Sequence, residues 1–328
     1  MSKILITGGA GFIGYHLANK LSDQEHEIII IDNFFKNKKD SDLERLLSKS
    51  NVKLIEADFT DRKSWNKVGK GYDYIYHLIS INGFKFFKEI PHEVLRVGIT
   101  TTLNVLNWLY RENGNPKAKI LYTSSNEVYM GAIESFEKLP IPTPEKVPEV
   151  IPDTYDPRWS YAGQKIINEL LFIHYSKAFN FRMVIVRPHN IYGPRGGFDS
   201  MIPKMIKGIR DHIDPFPFIS PKENRSSCYI EDIINAMISV MRSSKTDGNT
   251  YNIGGNEETT VEKLIEIMFS IMKWYPKKFD IKENPIDSSL HCLPDISKIE
   301  KDTKWKPKTS LKEGLEKTIK WYLSNPQF

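Results

Sequence analysis

Cysteine is scarce in this sequence, with Cys228 and Cys292 the only two among 328 residues. Two thiols so far apart in sequence supply neither a disulfide framework nor a cysteine-rich zinc site, so no metal is expected and a reducing compartment fits. Long apolar runs are missing too. No stretch approaches the roughly 18 residues that a membrane-spanning helix needs. The N-terminus passes from the short run Lys3 to Ile6 into a glycine-rich turn, without the apolar core of a signal peptide. A cytoplasmic protein with no membrane partner is the expectation. There is no internal repeat and no low-complexity tract. The net charge of +5 comes from 46 Lys and Arg interspersed with 41 Asp and Glu, clustered only in short stretches such as Lys36 to Lys39. Without an RNA- or DNA-binding signature beside it, such a charge describes a solvated surface and no nucleic-acid partner.

What is present builds a core. At 40% hydrophobic and 12% aromatic content, the chain can form one large domain or two unequal lobes. Apolar, β-branched runs at 3–7, 27–32, 52–57, 72–78, 119–123 and 182–187 alternate with helical patterns near 12–24, 92–113 and 158–179. Runs that are apolar on both faces belong to a parallel sheet covered by helices on both sides. After Arg187 the chain turns to loops rich in Pro and Gly, with helices near 230–242, 261–274 and 310–324. The last opens on Ser310 followed by Glu313, a capping box. A smaller C-terminal α/β lobe is therefore expected. Six prolines between Gly131 and Pro157 predict an extended loop that either borders the active site or covers the surface.

The segment Thr7-Gly8-Gly9-Ala10-Gly11-Phe12-Ile13-Gly14 joins the first strand to the first helix, where a pyrophosphate can meet the amide donors of a helix N-terminus. Gly8 permits the tight turn, Gly11 lets backbone approach phosphate, and Gly14 lets helix and strand pack closely. Asp32 ends the next strand eighteen residues after Gly14, placed to accept hydrogen bonds from an adenosine ribose. The pattern predicts a Rossmann-type doubly wound parallel sheet. A carboxylate there also repels a 2′-phosphate, which favours NAD over NADP, although Lys36 and Lys38 stand close in sequence. The expected dinucleotide domain is 1–187 with about 225–255, and the expected substrate lobe is about 188–224 with 256–328.

Tyr161 and Lys165 stand four apart on a predicted helix and so project from one face. Of fifteen tyrosines, Tyr161 alone has a lysine four residues on. A phenol with a pKa of about 10 is a poor base at neutral pH, but a neighbouring ammonium favours its ionised form. Thr123-Ser124-Ser125-Asn126-Glu127-Val128-Tyr129 follows a predicted strand, at the end of the sheet where ligands bind. If the backbone stays extended there, Ser125 and Glu127 face the same side. Their alternative is an ordinary turn.

These segments together resemble the NAD-dependent epimerase/dehydratase family of nucleotide-sugar enzymes, within the extended short-chain dehydrogenase/reductase class. The likeness rests on Thr7 to Gly14, Asp32, Ser124-Ser125 with Val128-Tyr129, the Tyr161/Lys165 pair, and Arg187-Pro188-His189-Asn190-Ile191-Tyr192-Gly193-Pro194-Arg195. It extends to Pro294-Asp295-Ile296-Ser297-Lys298 and Trp305-Lys306-Pro307. The resemblance implies that Tyr161 removes a proton from the sugar 4-hydroxyl while hydride passes to NAD, with Lys165 lowering the phenol pKa and Ser125 hydrogen-bonding the oxygen. Cofactor contacts are then expected at Gly8, Gly11, Phe12, Ile13, Gly14, Asp32, Asn33, Asp58, Phe59, Leu78 and Lys165, with His77 to Ser80 lining the cofactor. Asn190, Arg195 and Arg225 fall where the family holds the diphosphate, as guanidinium chemistry suits.

The resemblance also implies a role for Glu127 as the base at C5, acidified by a 4-keto group. Asn126 stands where some 4,6-dehydratases carry an acid, and an amide cannot replace it. The resulting expectation is C5 deprotonation, with 4,6-dehydration slightly ahead of epimerisation. A simple 4-epimerase, a net nucleotide-sugar dehydrogenase and a non-catalytic nucleotide-binding protein are the alternatives. Departures from the family pattern are Ile79 and Ser80 in place of small residues, Met130 for glycine, Gln164 for serine, and Cys292 where uronate decarboxylases carry arginine. The last argues against decarboxylation. Apolar residues spread around the helix of Tyr161, from Ile166 to Ile173, imply a second buried face and hence a homodimer.

Overall fold

A computed structural model describes residues 1–36, 39–136, 139–197, 200–282 and 293–325. The first half alternates strand and helix: β1 (Lys3–Thr7), α1 (Phe12–Ser22), β2 (Glu27–Asp32), α2 (Ser41–Leu47), β3 (Val52–Glu56), β4 (Tyr74–His77), α3 (Phe84–Glu89), α4 (Pro91–Arg111), β5 (Lys119–Thr123), α5 (Glu127–Phe136), α6 (Trp159–Phe179) and β6 (Arg182–Pro188). Strand Asn249–Ile253 completes a seven-stranded sheet in which it is followed by β6, β5, β4, β1, β2 and β3. Every pair is parallel. The period of two divides each strand between two cores. Ile4, Ile6, Ile28, Ile30, Leu121 and Val184 face one layer that includes α1, while Leu5, Ile29, Ile31, Ile120, Tyr122 and Ile185 face α4 and α6. This is the doubly wound fold that the uninterrupted apolar runs require. Strand order reverses where β1 lies between β4 and β2, which opens a crevice at the strands' carboxyl ends.

The later elements are α7 (Met201–Arg210), α8 (Ile230–Arg242), α9 (Val261–Met272), α10 (Ser297–Thr303) and α11 (Leu311–Ser324), with three two-stranded pairs. Helix α8 returns to cover the sheet beside α1 through Ile230, Ile233, Met237 and Val240. The Ser310 hydroxyl accepts the Glu313 amide at 3.3 Å, one arm of the expected capping box.

Two expectations need correction. The chain does not stay extended after β5: α5 begins at Glu127, and the Ser125 carbonyl accepts the Val128 amide at 3.5 Å. The proline-rich loop is correspondingly shorter, since 131–136 is helical. Val128, Tyr129, Met130, Ala132 and Ile133 are buried, and that burial outweighs the turn character of the preceding serines. Among the described residues no helix is long and apolar enough to cross a membrane, and no cluster of His, Cys, Asp and Glu is arranged to hold a metal.

Candidate active site

The glycine-rich turn is shaped by close approach. Gly8 adopts φ +68°, and a Cβ there would lie 3.2 Å from the Ile79 nitrogen and from the Leu78 carbonyl carbon. A Cβ on Gly14 would come within 2.5 Å of the Gly8 oxygen. Gly11 caps α1 with no side-chain hydrogen bond, so the first-turn amides of Phe12 and Ile13 have no capping acceptor and remain at the positive end of the helix. Asp32 is buried and accepts the amides of Ala10 at 3.1 Å and Phe34 at 2.9 Å. Burial raises its carboxyl pKa, and these amide bonds oppose the shift. The turn and the carboxylate thus form one rigid unit at the carboxyl ends of β1 and β2, and the donor set suits a pyrophosphate and a ribose.

The other expected cofactor contacts surround this unit. Asn33 accepts the Phe35 amide at 3.1 Å. Asp58 accepts the Thr60 amide and hydroxyl at 2.9 and 2.8 Å. Phe59 is packed edge-on against Trp65, and its carbonyl accepts Trp65 Nε1 at 3.0 Å and Asn104 Nδ2 at 3.1 Å, so both its ring and its carbonyl serve the core. The Leu78 amide donates to the Thr7 carbonyl at 3.2 Å, which holds the segment after β4 against the turn. Lys36 reaches the Asn82 carbonyl at 2.5 Å, and Lys38 lies outside the described residues.

On α6, Tyr161 and Lys165 are both buried, at 6% and 3% exposure. The Ser125 hydroxyl accepts the Glu127 amide at 3.2 Å and lies close enough to the Tyr161 phenol to act on its pKa. Asn126 Oδ1 is 3.4 Å from the same hydroxyl. Burial pushes the phenol pKa upward, the Glu127 carboxylate pushes it further, and the Ser125 hydroxyl works against both. Lys165, expected to lower the phenol pKa, is not among the causes of this shift. Lys165 Nζ donates to the Thr123 carbonyl at 2.7 Å and lies 5.4 Å from the Tyr161 ring centroid. Burial lowers its own pKa to about 7, against the pull of Glu169.

The residues assigned to a diphosphate are less uniform. Asn190 has φ +34° and its carbonyl accepts the Cys228 amide at 3.1 Å. Arg195 is not openly displayed. Its Nε and Nη2 reach Asp40 at 3.0 and 2.5 Å, and its guanidinium lies 4.1 Å from the Tyr15 ring centroid. Its Nη1 is buried and has no hydrogen-bond partner among the described residues. Arg225 pairs with Glu223 at 2.5 Å on a strand bound to Glu258–Thr260.

Sequence reasoning misses Phe87, whose ring stacks on Tyr161 with centroids 4.8 Å apart and planes at 20°. It also misses the contact between Gln164 and Ser80. The aromatic-rich run Phe84 to Phe87 was the available signal for the first. Nothing in local spacing joins the second pair.

Comparison with known proteins agrees with this geometry. The model of the NAD dependent epimerase/dehydratase family matches residues 4–254. A UDP-N-acetyl-alpha-D-glucosaminuronate decarboxylase from Bacillus cytotoxicus is 30% identical, covering 98% of this chain and 97% of the relative. A UDP-N-acetylglucosamine 4-epimerase from Methanobrevibacter ruminantium, solved with UDP-N-acetylmuramic acid, superposes with TM-score 0.86 at 26% identity over 99% of both chains. A UDP-glucuronic acid 4-epimerase from Bacillus cereus, solved with NAD and a fluorinated UDP-sugar, gives 0.85 at 25% identity, covering 98% of this chain and 99% of that one. The decarboxylase relative stands against the expectation drawn from Cys292, a residue outside the described ones.

Proposed function

Since the chain belongs to the NAD-dependent epimerase/dehydratase family, we propose that it oxidises the sugar of a nucleotide sugar at C4 and completes its reaction at C5 before the hydride returns. The observation that carries this reading is that Tyr161 and Lys165 are buried together on α6, with Lys165 Nζ 5.4 Å from the Tyr161 ring centroid, and that the Ser125 hydroxyl and the Glu127 carboxylate both act on the phenol. The glycine-rich turn, Asp32, Asp58 and the segment from Leu78 would hold NAD. When bound, NAD supplies the hydride acceptor and a positive charge that favours the phenolate. Tyr161 takes the 4-hydroxyl proton, and Ser125 steadies the oxygen as it becomes a carbonyl. The 4-keto group acidifies C5, and Glu127 is the carboxylate positioned to move that proton. Asn190, Arg195 and Arg225 are assigned the diphosphate.

Two outcomes at C5 are distinguished by what the site contains. Dehydration needs an acid for the departing 6-hydroxyl, and the amide of Asn126 has none to give. Decarboxylation of a uronic acid needs none: a 4-keto uronate is a β-keto acid and loses CO2 once C4 is oxidised. That second reading is supported by the decarboxylase relative. The test is a panel of nucleotide hexoses and hexuronic acids in deuterated water, followed by product mass. Deuterium at C5 with unchanged mass otherwise identifies epimerisation, and loss of water or of CO2 identifies the other two. If no sugar transiently reduces bound NAD, the C4 mechanism is wrong.

A further inference from the structure

We infer that Gln164 and Ser80 form a positioning bridge that holds the cofactor-lining segment against the catalytic helix and so fixes Lys165 beside Tyr161. This rests on the C4-oxidation reading above. Gln164 is fully buried, and its Nε2 donates to the Ser80 hydroxyl at 3.1 Å. Ser80 belongs to the segment that packs on the glycine-rich turn, where Leu78 and Ile79 sit against Gly8. One side chain therefore spans from the turn's neighbour to the helix of Tyr161 and Lys165.

The bridge continues toward the lysine. Asn168 Nδ2 lies 3.1 Å from Gln164 Oε1 and 3.1 Å from the Tyr122 hydroxyl, and the Tyr122 ring centroid lies 5.1 Å from Lys165 Nζ. Space is reserved for this arrangement. A Cβ on Gly98 would come within 1.9 Å of Gln164 Oε1, so only glycine at 98 leaves room for the amide. The two residues that depart from the family pattern on either side of the crevice thus touch each other. Replacing Ser80 leaves the buried Gln164 amide without this partner, whereas replacing both removes the pair together. That asymmetry makes the bridge testable by a double-mutant cycle.

The experiment uses NAD-loaded protein carrying Ser80→Ala, Gln164→Ala or both. Ser80→Ala removes one hydroxyl and guards against loss of folding in the larger change. The first readout is the titration of Lys165, followed by the NMR shift of its ε-carbon. It stands apart from ordinary lysines near 10.4 because burial lowers it to about 7, with Glu169 the carboxylate opposing the shift and neutral His77 also facing it. Each single change is expected to move that midpoint by roughly half a unit or more, about threefold in its protonation equilibrium, and the double change no further than the larger single one. The second readout is turnover of whichever sugar the wild type converts. Single changes should lower kcat and enlarge the isotope effect from deuterium at C4 while KM stays nearly constant, a signature that mere loss of packing does not produce. Unmoved lysine titration in both single variants, or shifts that simply add, overturns the bridge. If none of the sugars reduces the NAD bound to the wild type, the C4 reading fails while the lysine titration still decides the bridge.

Discussion

Three histidines make stability depend on pH in a way that can be worked out from their surroundings. Burial lowers the pKa of His16 to about 4 and those of His77 and His189 to about 3. His16 Nε2 is 2.8 Å from the Pro194 carbonyl, and the charge of Arg195 lowers its pKa further. His77 lies between the hydroxyls of Thr7 and Thr102, with Lys165 adding to its shift. In the unfolded chain each titrates near 6.5. Between about 6.5 and the folded values the unfolded state therefore binds protons that the native state does not, so stability falls as pH falls through that window and is complete above it. At pH 5 each histidine has cost about 2 kcal/mol, or about 6 kcal/mol for the three, an amount comparable with the whole stability of a domain. Asp32, Glu145 and Glu149 act in the opposite sense, because burial raises their pKa values and the native state takes up protons first. They offset part of the loss at the acid end.

Urea unfolding between pH 7 and pH 5 measures the net slope. His16→Gln keeps an amide donor for Pro194 and should reduce that slope by roughly one proton, about 1.4 kcal/mol per pH unit below pH 6. A wild-type stability that is flat from pH 7 to pH 5, or an unchanged slope in the variant, would show that His16 titrates alike in both states and would refute the reasoning.

Tyr161→Phe keeps the stack on Phe87 and loses only the phenol oxygen, so turnover should fall by about 100-fold or more with nucleotide-sugar affinity nearly unchanged; near-normal turnover removes Tyr161 from the mechanism. Gly14→Ala drives a methyl to within 2.5 Å of the Gly8 oxygen, where overpacking costs about 1–3 kcal/mol, and a thermal scan with an NAD titration should show both lower stability and weaker binding. On α6, Ile167 and Leu170 are 41% and 52% exposed, an apolar face beside α4 that a second copy would cover. Light scattering at micromolar concentration should therefore give a dimer, and Leu170→Glu a monomer; a monomeric wild type would rule that interface out.

What could be read from the sequence was whatever a single segment carries by itself. Strands buried on both faces announce themselves, as do a glycine turn between strand and helix, a carboxylate at a strand's end, and a tyrosine with a lysine one turn on. Strand Asn249–Ile253 was hidden because Asn249, Thr250 and Asn252 interrupt its apolar pattern. The structure explains Asn252, which accepts the Tyr129 hydroxyl at 2.7 Å and donates to the Thr143 carbonyl at 3.0 Å. Helix α5 was hidden for a different reason: serines that favour a turn precede residues whose helical state depends on burial. The pairing of Arg195 with Asp40 crosses 155 positions, and no local pattern could show that a residue expected at a diphosphate already holds a carboxylate. Ser80 and Gln164, 84 positions apart, carry the same lesson further. Each read alone is a departure that weakens a motif. Brought into contact, they become a donor and an acceptor that satisfy one another, and because Gln164 is fully buried, losing the Ser80 hydroxyl would leave its amide stranded. Deviations from a pattern are therefore most informative after folding has shown which of them meet.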